Sequence, residues 1–126
     1  MATIRISVDD LHGISVFEIE GTVNASEIID AMERQYVDGA PVHALWDYSK
    51  ATFHELSAED YERIAAAAKA LAPQRQDGRT AFVAPGALEA VAIKFLEASS
   101  KKIELPLLLH ICTTREEAIA WLTAPE

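Results

Sequence analysis

Asp47, Ser49 and His54 carry the three functional groups of a nucleophilic triad, and they fall within eight residues of one another. A triad needs carboxylate, imidazole and hydroxyl in one hydrogen-bonded chain, which a strand end and short loop of this length cannot provide. Ser49 lies between Tyr48 and Lys50, without the small neighbours of a strained nucleophile turn. His12, His43, His54 and His110 show no H-x-H or H-E-x-x-H spacing, and Cys112 is the only cysteine. That pattern offers no metal site. Cys112 closes an apolar segment, where a thiol behaves as a small hydrophobe. Gly78 and Gly86 stand in turn contexts and build no phosphate cradle. These residues predict neither catalysis nor a cofactor.

The remaining polar groups matter only if the fold gathers them. Residues 3–8 (TIRISV) alternate apolar and polar, as a half-buried strand does. A turn at Asp9-Asp10 and His12-Gly13 leads to a second strand at 14–20, so the pair reads as an antiparallel hairpin. Asn24, with Glu27 three residues on, caps a helix whose stripe is Ile28, Ile29, Met32 and Tyr36 and which stops near Asp38-Gly39. A strand at 43–48 follows, then a helix from Ser57 with Tyr61, Ile64, Ala68 and Leu71 inward, ending before Pro73. Asp77-Gly78 opens a strand at 79–84, and Pro85-Gly86 starts a third helix. A nearly all-apolar strand, 106–112, reads as one covered on both faces. Thr113 or Thr114 then caps a last helix burying Ala118, Trp121 and Leu122.

The predicted order is ββαβαβαβα: one α/β domain over 1–126, a five-stranded mixed sheet with an antiparallel first strand and four helices. Three segments, 47–57, 84–87 and 113–115, should meet at the carboxyl ends of the parallel strands, where α/β sheets bind ligands. Each leads into a helix N-terminus. Asp47, Ser49, Thr52, Ser57, Gly86, Thr113 and Thr114 are therefore the candidate ligand or partner contacts. The competing reading of Ser57, Thr113 and Thr114 is helix capping, worth about 1 kcal/mol each. Asp47 could likewise serve only the amides of its own loop.

Twenty acidic residues against eleven basic ones give a net charge of −9, which repels nucleic acid. Only Lys101-Lys102 are adjacent basic residues, too few for an electrostatic membrane anchor. The start (MATIRISVDD) is not a secretory signal, and no apolar run is long enough to span a bilayer. With a single cysteine, these features suggest a cytoplasmic protein.

The third helix carries a broad apolar stripe. Leu88, Val91, Ala92 and Phe95 define one face, and Ile93 and Leu96 widen it. Leu88, Ile93, Phe95 and Leu96 are expected to form a hydrophobic interface for a homodimer, an apolar ligand or a peripheral membrane contact; packing on a neighbouring helix is the alternative. Crossovers of one hand would also gather the helices on one side of the sheet, leaving the other for a partner subunit.

Residues 45–60, LWDYSKATFHELSAED, resemble the STAS superfamily (sulfate transporter and anti-sigma factor antagonist), in particular its SpoIIAA-like branch. Antagonists of that superfamily carry L-D-L-S-G-V-x-F and then D-S-S-G at a helix start. Asp47, Tyr48 and Ser49 sit where that pattern has D-L-S, Thr52-Phe53 match its T-F-like step, and Glu55 replaces the aspartate. Leu56 stands at the serine that a kinase phosphorylates, Ser57 at the second serine and Ala58 at the glycine. The resemblance implies a SpoIIAA-like superhelix, dimerisation, and nonpolar-ligand or membrane association, without the phosphoswitch. The expected function is a non-enzymatic STAS-like regulatory or interaction module contacting an unidentified protein partner. A nonpolar-ligand (lipid) or membrane-surface binder is the first alternative, and a small enzyme the second.

Overall fold

The computed structural model describes residues 2–36, 40–52, 56–75, 78–84, 86–102, 104 and 108–125, with the backbone alone at 52, 87–92, 95 and 100. The chain runs β1 (Ala2–Asp9), β2 (Ile14–Thr22), α1 (Ala25–Gln35), β3 (His43–Thr52), α2 (Ala58–Arg75), β4 (Arg79–Val83), α3 (Ala87–Lys102), β5 (Leu108–Cys112) and α4 (Arg115–Leu122). The five strands form one sheet in the order β1-β2-β3-β4-β5. β1 pairs antiparallel with β2, and every later pair is parallel. This is the mixed α/β architecture that the element order predicts.

Local chemistry explains the elements. Asn24 accepts the Glu27 amide at 2.8 Å and the Glu27 carboxylate accepts the Asn24 amide at 3.1 Å, a complete capping box. Along β2 and β3, Phe17, Ile19, Ala44, Trp46 and Tyr48 share one face and join the core under α1, α2 and α3. In register, Phe17 lies beside Trp46, Trp46 beside Phe82, and Phe82 beside Ile111. Phe17 and Trp46 stack with centroids 3.9 Å apart and planes 2° from parallel. This ladder crosses four strands and is the floor on which the helices sit.

Four expectations need correction. β3 does not end at Tyr48; it continues to Thr52, because β2 also runs on and pairs Glu20, Gly21 and Thr22 with Lys50, Ala51 and Thr52 beyond an irregularity between Glu18 and Glu20. α2 does not stop before Pro73 but continues to Arg75. Pro73 supplies no amide to the turn before it, and the last turn is held instead by the Arg75 side chain, which donates to the Val42 carbonyl at 3.0 Å and the Arg79 carbonyl at 3.0 Å. β5 is a sheet edge, not a fully covered strand: Leu108 is 63% exposed, and among the described residues no strand lies beyond it.

The fourth concerns the second face of the sheet. α4 covers it with Ala118 and Leu122 against Ile14, Val16, Leu45, Ala81, Val83 and Cys112. Arg79 holds the end of α4, donating to the Trp121 and Ala124 carbonyls, both at 2.8 Å. Beyond α4 the same face presents Thr3, Arg5, Glu18 and Glu20 to solvent. The helices are thus not all on one side of the sheet: α4 covers the apolar part of this face. Among the described residues, no helix is long and apolar enough to cross a membrane.

Gly78 makes the turn from α2 to β4, donating to the Arg75 carbonyl at 2.8 Å. A Cβ at this position would run into the Val42 carbonyl and lie 2.9 Å from the Arg75 carbonyl oxygen. Gly78→Ala is expected to lower stability by about 2 kcal/mol in urea unfolding. An unchanged midpoint would show that this close approach is dispensable.

Candidate functional site

The carboxyl ends of the strands gather some of the expected contacts. Asp47 Oδ1 accepts from the Ser49 amide at 2.9 Å and the Ser49 hydroxyl at 2.7 Å. Its second oxygen accepts from Arg115 Nη2 at 3.2 Å, and the same nitrogen lies 3.3 Å from Glu18 Oε2. Arg115 therefore joins the start of α4 to β2 and β3. These ion pairs are partly exposed, so each adds little to stability. Arg115 was expected on this edge only as part of a segment, and its pairing with Asp47 emerges from the tertiary structure.

The other expected contacts are committed locally. Ser57 Oγ accepts from the Asp60 amide at 3.2 Å, and Asp60 Oδ2 accepts from the Ser57 amide at 3.0 Å, so Ser57 is the reciprocal cap of α2. Thr114 caps α4, accepting from the Glu117 amide at 3.2 Å, while the Thr113 hydroxyl donates to Glu117 Oε1 at 2.8 Å. Gly86 is a half-buried bend before α3. The Thr52, Leu88 and Phe95 side chains, and His54 and Glu55 entirely, lie outside the described residues. Among the described residues, no three His, Cys, Asp or Glu side chains come close enough to hold a metal ion. The carboxyl edge also lacks a switch point. Strand order follows sequence order, so no two crossovers part there, and the hollow at this edge is instead a polar one lined by Arg5, Glu18, Asp47, Ser49 and Lys50.

The expected hydrophobic interface moves inward. Ile93 and Leu96 are buried in the chain's own core, because α3 packs beside α2 over the aromatic floor. Leu96 instead helps to wall a cavity of about 40 Å3 between the sheet and the helices. Trp46, Tyr48 and Phe82 form its floor; Ile28, Met32 and Tyr36 of α1 and Ile64, Ala65, Ala68 and Leu71 of α2 form its walls. It exists because α2 presents alanines where the sheet presents aromatic rings, and small side chains leave the gap unfilled.

Polar groups occur at this cavity through Tyr36, Arg75 and Thr80. Arg75 is 5% exposed; it donates to Thr80 Oγ1 at 2.6 Å, and its Cζ lies 5.0 Å from the Tyr36 ring centroid. The buried Tyr36 hydroxyl has no hydrogen-bond partner among the described residues. Burial pushes the Tyr36 phenol up to about 12, against the opposing effect of the Arg75 charge. Burial also raises the Tyr48 phenol and pulls the Arg75 guanidinium below its ordinary value. Sequence reading missed this pair, although a signal was present. Ile64, Ala68, Leu71 and Arg75 share the helical spacing of α2, which places a cation on the inward stripe.

The chain matches no protein-family model and no curated protein sequence. The STAS resemblance therefore rests on residues 45–60 and the element order alone.

The raised Tyr36 phenol fixes the sign of a pH effect. The unfolded chain loses this proton near pH ~10 and the folded chain near pH 12, so the contribution is intact below pH ~10 and lost as pH climbs through about 12. Relative to Tyr36→Phe, the wild-type protein should lose about 2 kcal/mol of stability between pH ~9 and pH ~11.5 in urea unfolding. Parallel pH profiles for the two proteins would mean that Tyr36 titrates as an exposed phenol.

Proposed function

We propose that this protein is a non-enzymatic binding protein that holds a small nonpolar molecule between its sheet and helices α1, α2 and α3. The supporting observation is the cavity floored by Trp46, Tyr48 and Phe82, a concave and mainly apolar site with a few polar groups. At about 40 Å3 the cavity takes only a fragment of a few heavy atoms as it stands. A longer molecule requires α2 to shift outward with Ile64 and Leu71, while Ala65 and Ala68 add little bulk to the wall. The Ser49 hydroxyl that donates to the Asp47 carboxylate does not line this cavity, and in this reading the molecule is held without being converted.

A second reading is a STAS-like interaction module docking through the carboxyl edge, with dimerisation as the resemblance implies. It is supported by the rim that Asp47, Ser49, Arg115 and Glu18 form at the strand ends. We rank it below ligand binding because the Asp47 carboxylate already accepts from Ser49 and Arg115, and Ser57 and Thr114 already cap helices.

Toluene is a suitable neutral probe, read by native mass spectrometry and by Trp46 emission in a Trp121→Phe background. The expected result is a saturable one-to-one complex that shifts Trp46 emission. Ala68→Leu, which fills part of the cavity, should weaken the complex by about tenfold or more, as loss of a buried apolar group's worth of space does. Absence of a complex, or one indifferent to Ala68→Leu, would remove this reading.

A further inference from the structure

Among the described residues, Arg75 is a buried cation without a counter-charge. Its three hydrogen bonds go to the Val42 carbonyl, the Arg79 carbonyl and the Thr80 hydroxyl, none of which is charged. Among the described residues, no carboxylate lies within ion-pair distance of it. The neighbouring Arg79 side chain runs to α4 and adds further positive charge. Carbonyl dipoles and the end of α2 solvate the guanidinium partly, yet a buried charge ordinarily has a partner of opposite sign. A guanidinium has five N–H donors in a planar fork, so three bonds leave donors for another acceptor.

Tyr36 is the complementary anomaly. Its hydroxyl is buried and, among the described residues, unpaired, and its ring packs under the same guanidinium. Both side chains line the apolar cavity. Building on the ligand reading above, we propose that the ligand is an amphipathic carboxylate, its head group against Arg75 and the Tyr36 hydroxyl and its apolar tail over Trp46 and Phe82. A carboxylate supplies one negative charge for one cation and a planar pair of acceptors that matches the fork. It would also satisfy the Tyr36 donor. The chain's net charge of −9 opposes anion capture from bulk solvent, so any preference for an anionic head arises from this buried pair.

The test compares hexanoate, hexan-1-ol and hexylamine at neutral pH by calorimetry on the full chain, so that only the head group varies. Hexanoate should bind at least about tenfold more tightly than hexan-1-ol, with hexylamine weakest, as charge-assisted hydrogen bonds require. Arg75→Met should erase the preference. Because Arg75 also holds the end of α2, Tyr36→Phe serves as the second variant. It removes only an unpaired hydroxyl, so it should fold and should narrow the ratio of hexanoate to hexan-1-ol affinity severalfold. Equal binding of hexanoate and hexan-1-ol, or a ratio unchanged by Tyr36→Phe, overturns the carboxylate inference and leaves apolar binding standing. Failure of all three probes to bind overturns both.

Discussion

A single buried guanidinium ties together the elements around the apolar cavity. Arg75 ends α2 and ties that end to the start of β3 through Val42 and to β4 through Arg79 and Thr80. Its plane covers the Tyr36 ring at the end of α1, so one side chain links two helices and two strands. Such a latch lets α2 pass Pro73 without fraying, and it brings backbone so close at Gly78 that a methyl group has no room. The same latch carries a cost: the charge has left water for neutral acceptors only. Among the described residues the charge has no carboxylate partner and the Tyr36 phenol beside it no hydrogen-bond partner, which is the basis of the proposed carboxylate ligand.

The cavity follows from a contrast between two surfaces. The sheet contributes a continuous aromatic ladder, fixed by register across β2, β3 and β4, while α2 contributes alanines. Rings on a sheet cannot sink to fill space left by a small-residue helix, so the gap persists. The opposite face shows the other outcome. There α4 packs Ala118 and Leu122 closely over Ala81 and Val83, and beyond it the strands turn to charged residues. The mainly apolar cavity thus lies on one side of the sheet, under α1, α2 and α3, while the hollows on the other side are lined by polar and charged residues such as Arg5, Glu18, His43 and Arg79.

Much of the fold was readable because the signals were local. Asn24 with Glu27, Ser57 with Asp60 and Thr114 with Glu117 mark helix starts through bonds spanning three residues, and each forms as its sequence suggests. Alternation in β1 and helical spacing in α1 are equally short-range. The errors arose where a distant partner decides. β3 gained four residues from its pairing with an extended β2, and β5 lost its cover by falling at the edge. Of the expected carboxyl-edge contacts, Asp47 and Ser49 do meet, but the interaction satisfies them internally. Arg75 and Tyr36 escaped notice for the same reason. A cation on an apolar stripe is visible in the sequence, whereas its meeting with a ring 39 positions earlier depends on the whole sheet being in place.

The central claim is that the Arg75 guanidinium is sealed from water and reserved for an anionic head group. Its Nε–H proton reports this directly in an NMR experiment on the full chain. The account predicts a slowly exchanging Arg75 resonance that shifts on titration with hexanoate and stays in place with hexylamine. A resonance lost to rapid exchange with water, or one that ignores hexanoate at saturating concentration, would contradict it.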